Sequence, residues 1–219
     1  MSFQSPEFLL FVQHGWADDN RAMLKLASQL ATDAALIVAP NLGYIQTWLR
    51  IAPLIQLVET IASEQLAGYP ETPVRIVGHS MGGLIWLEVL HRHPQWWSRV
   101  HSLVLVASPV GGADLGRILD PLSMGIGIAS DLGINRKPMA ENIAAVIPTL
   151  VIAGDVDGGS DGTVTISCTR FAHAHYVCLP ESHAALRHHS AVAALIRNFW
   201  DDFTIGESIE VKKLFVNKN

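Results

Sequence analysis

The residues with the clearest chemical meaning are Gly78-His79-Ser80-Met81-Gly82-Gly83. An apolar, β-branched run, Val74-Arg75-Ile76-Val77, leads straight into them, and the helical pattern Leu84, Leu87, Val89, Leu90 follows without a gap. A serine between glycines at i−2 and i+2 suits a sharp strand-to-helix turn, where the missing Cβ atoms let strand and helix close on each other and the hydroxyl stands clear. That chemistry is nucleophilic attack. A serine hydroxyl is a weak nucleophile at its free pKa, so it needs an imidazole to take its proton and a carboxylate to orient that imidazole. The amide of Met81, at the start of the helix, is a donor for negative charge developing on an attacked carbonyl.

The elements that must position these groups are legible from periodicity. Candidate strands are Phe8 to Val12, Ala35 to Ala39, Val74 to Val77, Leu103 to Ala107, Thr149 to Ala153 and His175 to Leu179. Each is short and nearly all apolar, as strands covered on both faces are. Helical stretches lie between them. Asp18 or Asp19 caps a helix with Met23, Leu24, Ala27 and Leu30 on one side, and Pro53 suits the first turn of a second whose apolar face is Leu54, Leu57, Val58 and Ile61. Val192, Leu195, Ile196 and Phe199 mark the last. The alternation predicts an α/β fold, a mostly parallel central sheet of about six strands with helices on both faces.

This context gives the serine motif its family likeness. Gly78-His79-Ser80-Met81-Gly82-Gly83 resembles the nucleophile elbow of α/β-hydrolase-fold lipases and esterases, and the order of elements extends the resemblance over most of the chain. The resemblance implies further site residues. Gln13-His14-Gly15-Trp16, after the first strand, is similar to the H-G-x loop of lipases, which makes the Trp16 amide the second oxyanion donor beside Met81 and His14 a loop-shaping residue. The large indole of Trp16 then walls the acyl side of the cleft.

The same fold orders its triad as serine, acid, histidine. Of the ten histidines, His183 in Pro180-Glu181-Ser182-His183-Ala184 fits that order, because it follows the last strand and precedes the final helix. His173 and His175 lie before or within that strand, His188 and His189 inside the following helix, and His79 points elsewhere on an elbow. For the acid, Gly154-Asp155-Val156-Asp157-Gly158-Gly159-Ser160-Asp161-Gly162-Thr163-Val164 offers three aspartates. Asp161-Gly162-Thr163-Val164 is similar to the Asp-x-x-Val string of small lipases, so Asp161 is favoured; Asp157, spaced as Gly-x-x-Asp, is the alternative, and Asp155 ranks last. Calcium is the competing use of these oxygens, but the twelve-residue calcium-loop pattern with its terminal glutamate is absent.

Composition bounds the rest. With 219 residues, 49% hydrophobic, the chain reads as a single domain, with a small lid or insertion over about 109–145. Within that stretch Ala107-Ser108-Pro109-Val110-Gly111-Gly112 resembles a Ser-Pro-x-Gly-Gly segment of lipases, implying a hydrophobic acyl ester as the small-molecule substrate. A net charge of −5 offers no basic field for nucleic acid. The N-terminal apolar run is too short for a signal core or membrane span, and two cysteines without C-x-x-C spacing suggest neither zinc nor a disulfide framework, so the expected setting is cytoplasmic, with no metal or cofactor. Tail residues Ile209-Glu210-Val211 and Leu214-Phe215-Val216 are candidates for an edge strand. The expected function is a serine esterase or lipase acting through Ser80, Asp161 and His183. The alternatives are an acyltransferase or thioesterase with the same triad, or a hydrolase-fold binding protein that no longer turns over.

Overall fold

The computed structural model describes residues 5–112 and 127–203. Six strands, β1 (Leu9–Gln13), β2 (Leu36–Val38), β3 (Val74–His79), β4 (Val100–Val106), β5 (Thr149–Gly154) and β6 (His175–Leu179), form one sheet in the order β2-β1-β3-β4-β5-β6. Every neighbouring pair is parallel. Side chains alternate across it. Leu9, Phe11, Ile76, Leu103, Leu105 and Val151 enter one buried cluster, and Leu10, Val12, Val77, Val104, Val106 and Ile152 enter the other. Two apolar faces explain why the strands read as continuous apolar runs.

Helices cover both faces. The first cluster is closed by α2 (Ile51–Gly68) and α3 (Met81–Arg92), and by α4 (Gly127–Leu132) and α5 (Lys137–Ala144), through Ile128, Leu132 and Ile143. The second is closed by α1 (Arg21–Leu30) and, from the far end of the chain, α8 (Ser190–Asp201). Between β5 and α8 lie two single-turn helices, α6 (Ile166–Thr169) and α7 (His183–Leu186). Among the described residues, no helix is long and apolar enough to cross a membrane.

Several local expectations shift. In α1 the buried stripe is Met23, Leu26, Ala27 and Leu30, and Leu24 is exposed. A helix turns about 100° per residue, which swings Leu24 away from that stripe. Leu57 is exposed in α2 for the same reason, while Ile51, Leu54, Ile55, Val58, Ala62 and Leu66 face inward. Helix α1 begins at Arg21 without a side-chain cap from Asn20; Asp19 accepts the Arg21 N–H instead, at 2.9 Å. Strand β4 starts earlier, at Val100. His188 and His189 precede α8, and His189 caps it by accepting the Ala191 N–H at 3.2 Å. Within the 109–145 stretch, residues 113–126 lie outside the described residues, as does the tail beyond Phe203 with its candidate edge strand.

The described part of 109–145 is pinned by partly buried ionic contacts. Asp131 accepts two bonds from the Arg50 guanidinium, at 2.8 and 3.0 Å, and one from the Ile51 N–H at 2.8 Å, fixing α4 to the start of α2. Arg136, 2% exposed, donates to Glu88 on α3 at 2.8 Å and to the Asp131 carbonyl at 2.9 Å.

A parallel sheet puts every strand's C-terminal end at one edge, so the loops after β1, β3, β5 and β6, carrying Trp16, Ser80, Asp161 and His183, converge there. The approach of α3 to the β1 loop is tight: a Cβ on Gly82 would stand 2.6 Å from the His14 carbonyl oxygen and closer still to that of Gln13. Gly82→Ala is therefore expected to cost about 1–3 kcal/mol in a urea titration, as overpacked interiors do. Gly159→Ala, at a site with no neighbour within 4 Å, should stay within about 0.5 kcal/mol of wild type.

Candidate active site

The turn between β3 and α3 has unusual backbone geometry. Ser80 takes φ 56° and ψ −125°, which costs a residue with a Cβ on the order of 1–3 kcal/mol. Three contacts hold it there. The Ser80 N–H donates to the Val106 carbonyl at 2.8 Å, extending the β3–β4 ladder by one residue. The Ser80 carbonyl accepts the Gly83 N–H at 3.1 Å, opening the first turn of α3. Gly78 lies so near that turn that a Cβ on it would come within 2.5 Å of the Gly83 nitrogen. The serine side chain stands part-exposed at the mouth of this turn, and Met81 opens the helix, where amides have no intrahelical carbonyl to pair with.

The loop after β1 closes onto the same point. A Cβ on Gly15 would lie 2.9 Å from the Ser80 Cβ and 3.1 Å from the Met81 nitrogen, so only glycine fits there. His14 shapes the loop from inside. It is fully buried, and its Nε2 accepts the Leu42 N–H at 3.0 Å, which leaves the proton on Nδ1 to be donated to the Gly15 carbonyl at 3.0 Å. Ala17, at φ 50°, turns the chain and donates its N–H to Thr47 Oγ1 at 3.0 Å. Trp16, between them, meets Trp48 edge to face with ring centres 4.3 Å apart.

The loops after β5 and β6 are stitched together. The Nδ1–H of His183 donates to Asp161 Oδ2 at 2.7 Å, and the His183 backbone N–H donates to the Asp161 carbonyl at 2.9 Å. Asp161 is 2% exposed; its other oxygen, Oδ1, accepts the N–H groups of Thr163 at 2.9 Å and Val164 at 2.6 Å. With the proton on Nδ1, the lone pair of His183 is on Nε2. Gly154, at the end of β5, makes room for both loops, since a Cβ there would lie 2.8 Å from the Asp161 Cβ and collide with the Glu181 carbonyl.

The other aspartates serve the loop itself. Asp157 is exposed and accepts the Ser160 N–H and hydroxyl, both at 2.7 Å, bonds that hold its carboxyl below the ordinary value. Asp155 accepts the N–H groups of Gly158 and Gly159 at 2.7 and 2.9 Å. Asp161 is thus the aspartate bonded to His183, and each of the other two accepts bonds from its own loop.

Two contacts had no counterpart in the sequence reading. His79 does not point idly away from the elbow. It is buried, its Nε2–H donates to the His183 carbonyl at 3.1 Å, and the two rings lie 4.9 Å apart. A signal existed: a polar ring at the end of a fully buried strand has to find a partner. Arg187, just after α7, pairs with Asp18, just after Trp16, and so ties the base's helix to the β1 loop. These two residues are 169 positions apart, and no local spacing could announce the pair. Other histidines are occupied elsewhere: His93 pairs with Glu59 at 2.6 Å, and His101 contacts the Phe203 carbonyl at 2.5 Å.

An all-parallel sheet with a serine at a positive-φ turn after its central strand, and an Asp–His pair at the same edge, defines an α/β hydrolase. A family model described as serine aminopeptidase, S33, matches residues 4–123, more than half of the sequence, and the chain belongs to this α/β-hydrolase family. Solved structures share the fold. Est1E from Butyrivibrio proteoclasticus, bound to ferulic acid, superposes with a TM-score of 0.72 at 13% identity, covering 91% of this chain and 90% of that one. The lipase BlEst2 from Bacillus licheniformis, in its mature form, gives 0.68 at 14%, covering 90% and 92%. The thioesterase RedJ from Streptomyces coelicolor gives 0.58 at 14%, covering 91% and 87%. Comparison with curated proteins gives no match. At these identities the likeness is one of fold.

The buried histidines make a pH prediction. Burial pushes His14, His101 and, most strongly, His79 below the usual value of 6.5. Above 6.5 these rings are neutral in both folded and unfolded chains, and their bonds contribute in full. As the pH falls below that value the unfolded chain takes protons that the folded chain refuses, so stability drops until the lowered folded values are reached. Urea midpoints should therefore decline from pH 6.5 towards about pH 5, where most carboxylates are still ionised. His14→Gln, whose Oε1 can accept the Leu42 N–H without titrating, should flatten that decline.

Proposed function

We propose that this hydrolase-family protein cleaves carboxylic esters through an acyl-enzyme on Ser80. The observation that carries the reading is the 2.7 Å bond from His183 Nδ1–H to Asp161, which leaves Nε2 as the ring's proton acceptor, at the edge of the sheet where Ser80 stands. In this reading Nε2 takes the Ser80 proton as the hydroxyl attacks the ester carbonyl. The tetrahedral oxyanion is met by the amides of Met81 and Trp16, and loss of one such donor typically costs ~10²–10³ in rate. Collapse expels the alcohol, protonated by His183, and water activated by the same imidazole releases the acid. Asp161 stabilises the transient imidazolium and holds its tautomer.

The substrate class follows from the apolar rim beside Trp16. Tyr44, Ile45 and Leu49 are 56%, 72% and 61% exposed, next to Trp48, which packs on Trp16. Exposed apolar side chains gathered beside a nucleophile suit a hydrophobic acyl group. The chain acts as one domain, with the described part of the 109–145 stretch, α4 and α5, packed on α2 and α3.

A fluorophosphonate probe should label wild type and not Ser80→Ala; an unlabelled wild type would point to a binding protein. Against p-nitrophenyl esters, Asp161→Asn should lower kcat by about 10³–10⁴-fold, as loss of the orienting carboxylate does elsewhere. Asp157→Asn should change it by less than about threefold, since an exposed loop cap lies outside the reaction. The reverse order would transfer the acid role to Asp157. A chain-length series of esters, run beside acyl thioesters and aminoacyl arylamides, should give its highest kcat/KM on an aliphatic ester, whereas preference for a thioester or amide would replace the substrate class.

A further inference from the structure

His79 has a different standing from the other histidines. It is 2% exposed, wedged between the central strand and the nucleophile, and one of its nitrogens, Nδ1, has no hydrogen-bond partner among the described residues. An apolar side chain of similar size would fill this space without stranding a polar atom, so packing alone gives no reason for an imidazole here. The bond it does make goes to one place, the carbonyl of His183, at 3.1 Å.

The recipient needs that bond. His183 is the first residue of a four-residue helix, too short to hold its own geometry by helical bonding. Its backbone N–H is fixed by the Asp161 carbonyl and its Nδ1 by the Asp161 carboxylate, so both restraints come from the β5 loop alone. The restraint from the opposite side, from the strand that carries Ser80, is the His79 Nε2–H. We infer that His79 is a positioning residue that references the imidazole of His183 to the nucleophile, by clamping the His183 carbonyl to the residue next to Ser80. The inference rests on the reading of Ser80 and His183 as nucleophile and base. His79 touches no reacting atom in this account; it sets the register of the group that does.

The bonding geometry supplies a discriminating pair of variants. Glutamine places its amide nitrogen the same number of bonds from Cα as histidine Nε2, while asparagine places it at the Nδ1 position. His79→Gln can therefore rebuild the donor, and His79→Asn and His79→Leu cannot. The test measures hydrolysis of p-nitrophenyl butyrate, the melting temperature by circular dichroism, and the low-field proton resonance of the His183–Asp161 bond by NMR, in wild type and the three variants. His79→Asn and His79→Leu are expected to lose about ten- to a hundredfold in kcat with KM unchanged, the scale of a small misplacement of a catalytic group. His79→Gln should recover most of the loss, and the low-field resonance should move or broaden in the leucine variant and return in the glutamine variant. If the leucine variant fails to fold, the Gln–Asn comparison carries the test.

Equal kcat in the asparagine and glutamine variants, a loss expressed in KM, or losses that follow the folded fraction would overturn the positioning role. An unlabelled, inactive wild type would overturn the catalytic reading and this inference together. An active wild type with an undiminished asparagine variant would overturn this inference alone.

Discussion

At Ser80 the backbone adopts a conformation that side chains bearing a Cβ rarely take, and the surrounding packing is arranged to leave it no other choice. The chain has to leave a parallel strand and enter a helix within one residue, since the Ser80 N–H still belongs to the sheet while its carbonyl already belongs to α3. Relaxing φ to a common value would break one of these bonds or push α3 out of the space bounded by Gly78, Gly82 and Gly83. The strain is stored locally and offset by the apolar surface that α3 buries, from Met81 through Leu90. Because α3 is anchored so close to the sheet, the β1 loop can approach through Gly15 to within contact of the Ser80 Cβ and the Met81 nitrogen.

The acid and the base come from loops with no such strain. Their placement is by hydrogen bonds: Asp161 spends one carboxylate oxygen on its own turn and the other on His183, so the carboxylate is oriented before the imidazole meets it. Arg187 and Asp18 join the base's helix to the β1 loop, and His79 joins it to β3. Three strands therefore meet through side chains at one edge, and a shift in any one loop is resisted by the other two. Rigid support of this kind is what a reaction with a narrow angular tolerance requires.

The legibility of this arrangement was uneven, and the reasons are physical. Strand alternation with helices and the Gly-x-Ser-x-Gly turn are local patterns, and they carried the sheet, the helix faces and Ser80. The order of elements points to His183 as the histidine directly after the last strand, but His188 and His189 also precede the last helix, and it is the bond to Asp161 that separates His183 from them. The acid was ambiguous between Asp161 and Asp157, which sit four residues apart in a Gly-rich loop whose course depends on tertiary bonds to β6; folding buries Asp161 against His183 and leaves Asp157 capping Ser160. Leu24 and Leu57 were assigned inward because apolar type outweighed angular position, and the helix turn sends both outward. The ties made by His79 and by Arg187 with Asp18 span separations at which the chain carries no periodicity to read.

The same edge concentrates imidazoles. His14 follows β1, His79 ends β3 and His183 opens α7, and burial favours the uncharged form of the first two. Their neutrality is a condition of their bonds, because His14 must keep a lone pair on Nε2 to accept the Leu42 N–H. It also limits the positive charge around His183, the residue proposed to become an imidazolium during the reaction. A protonated His79, 4.9 Å from the His183 ring, would oppose that second charge in a medium too poor in water to screen it. In the proposed reaction, burial of His79 therefore acts in two ways: it presents a donor to the His183 backbone, and it keeps charge away from the imidazole proposed to take the serine proton.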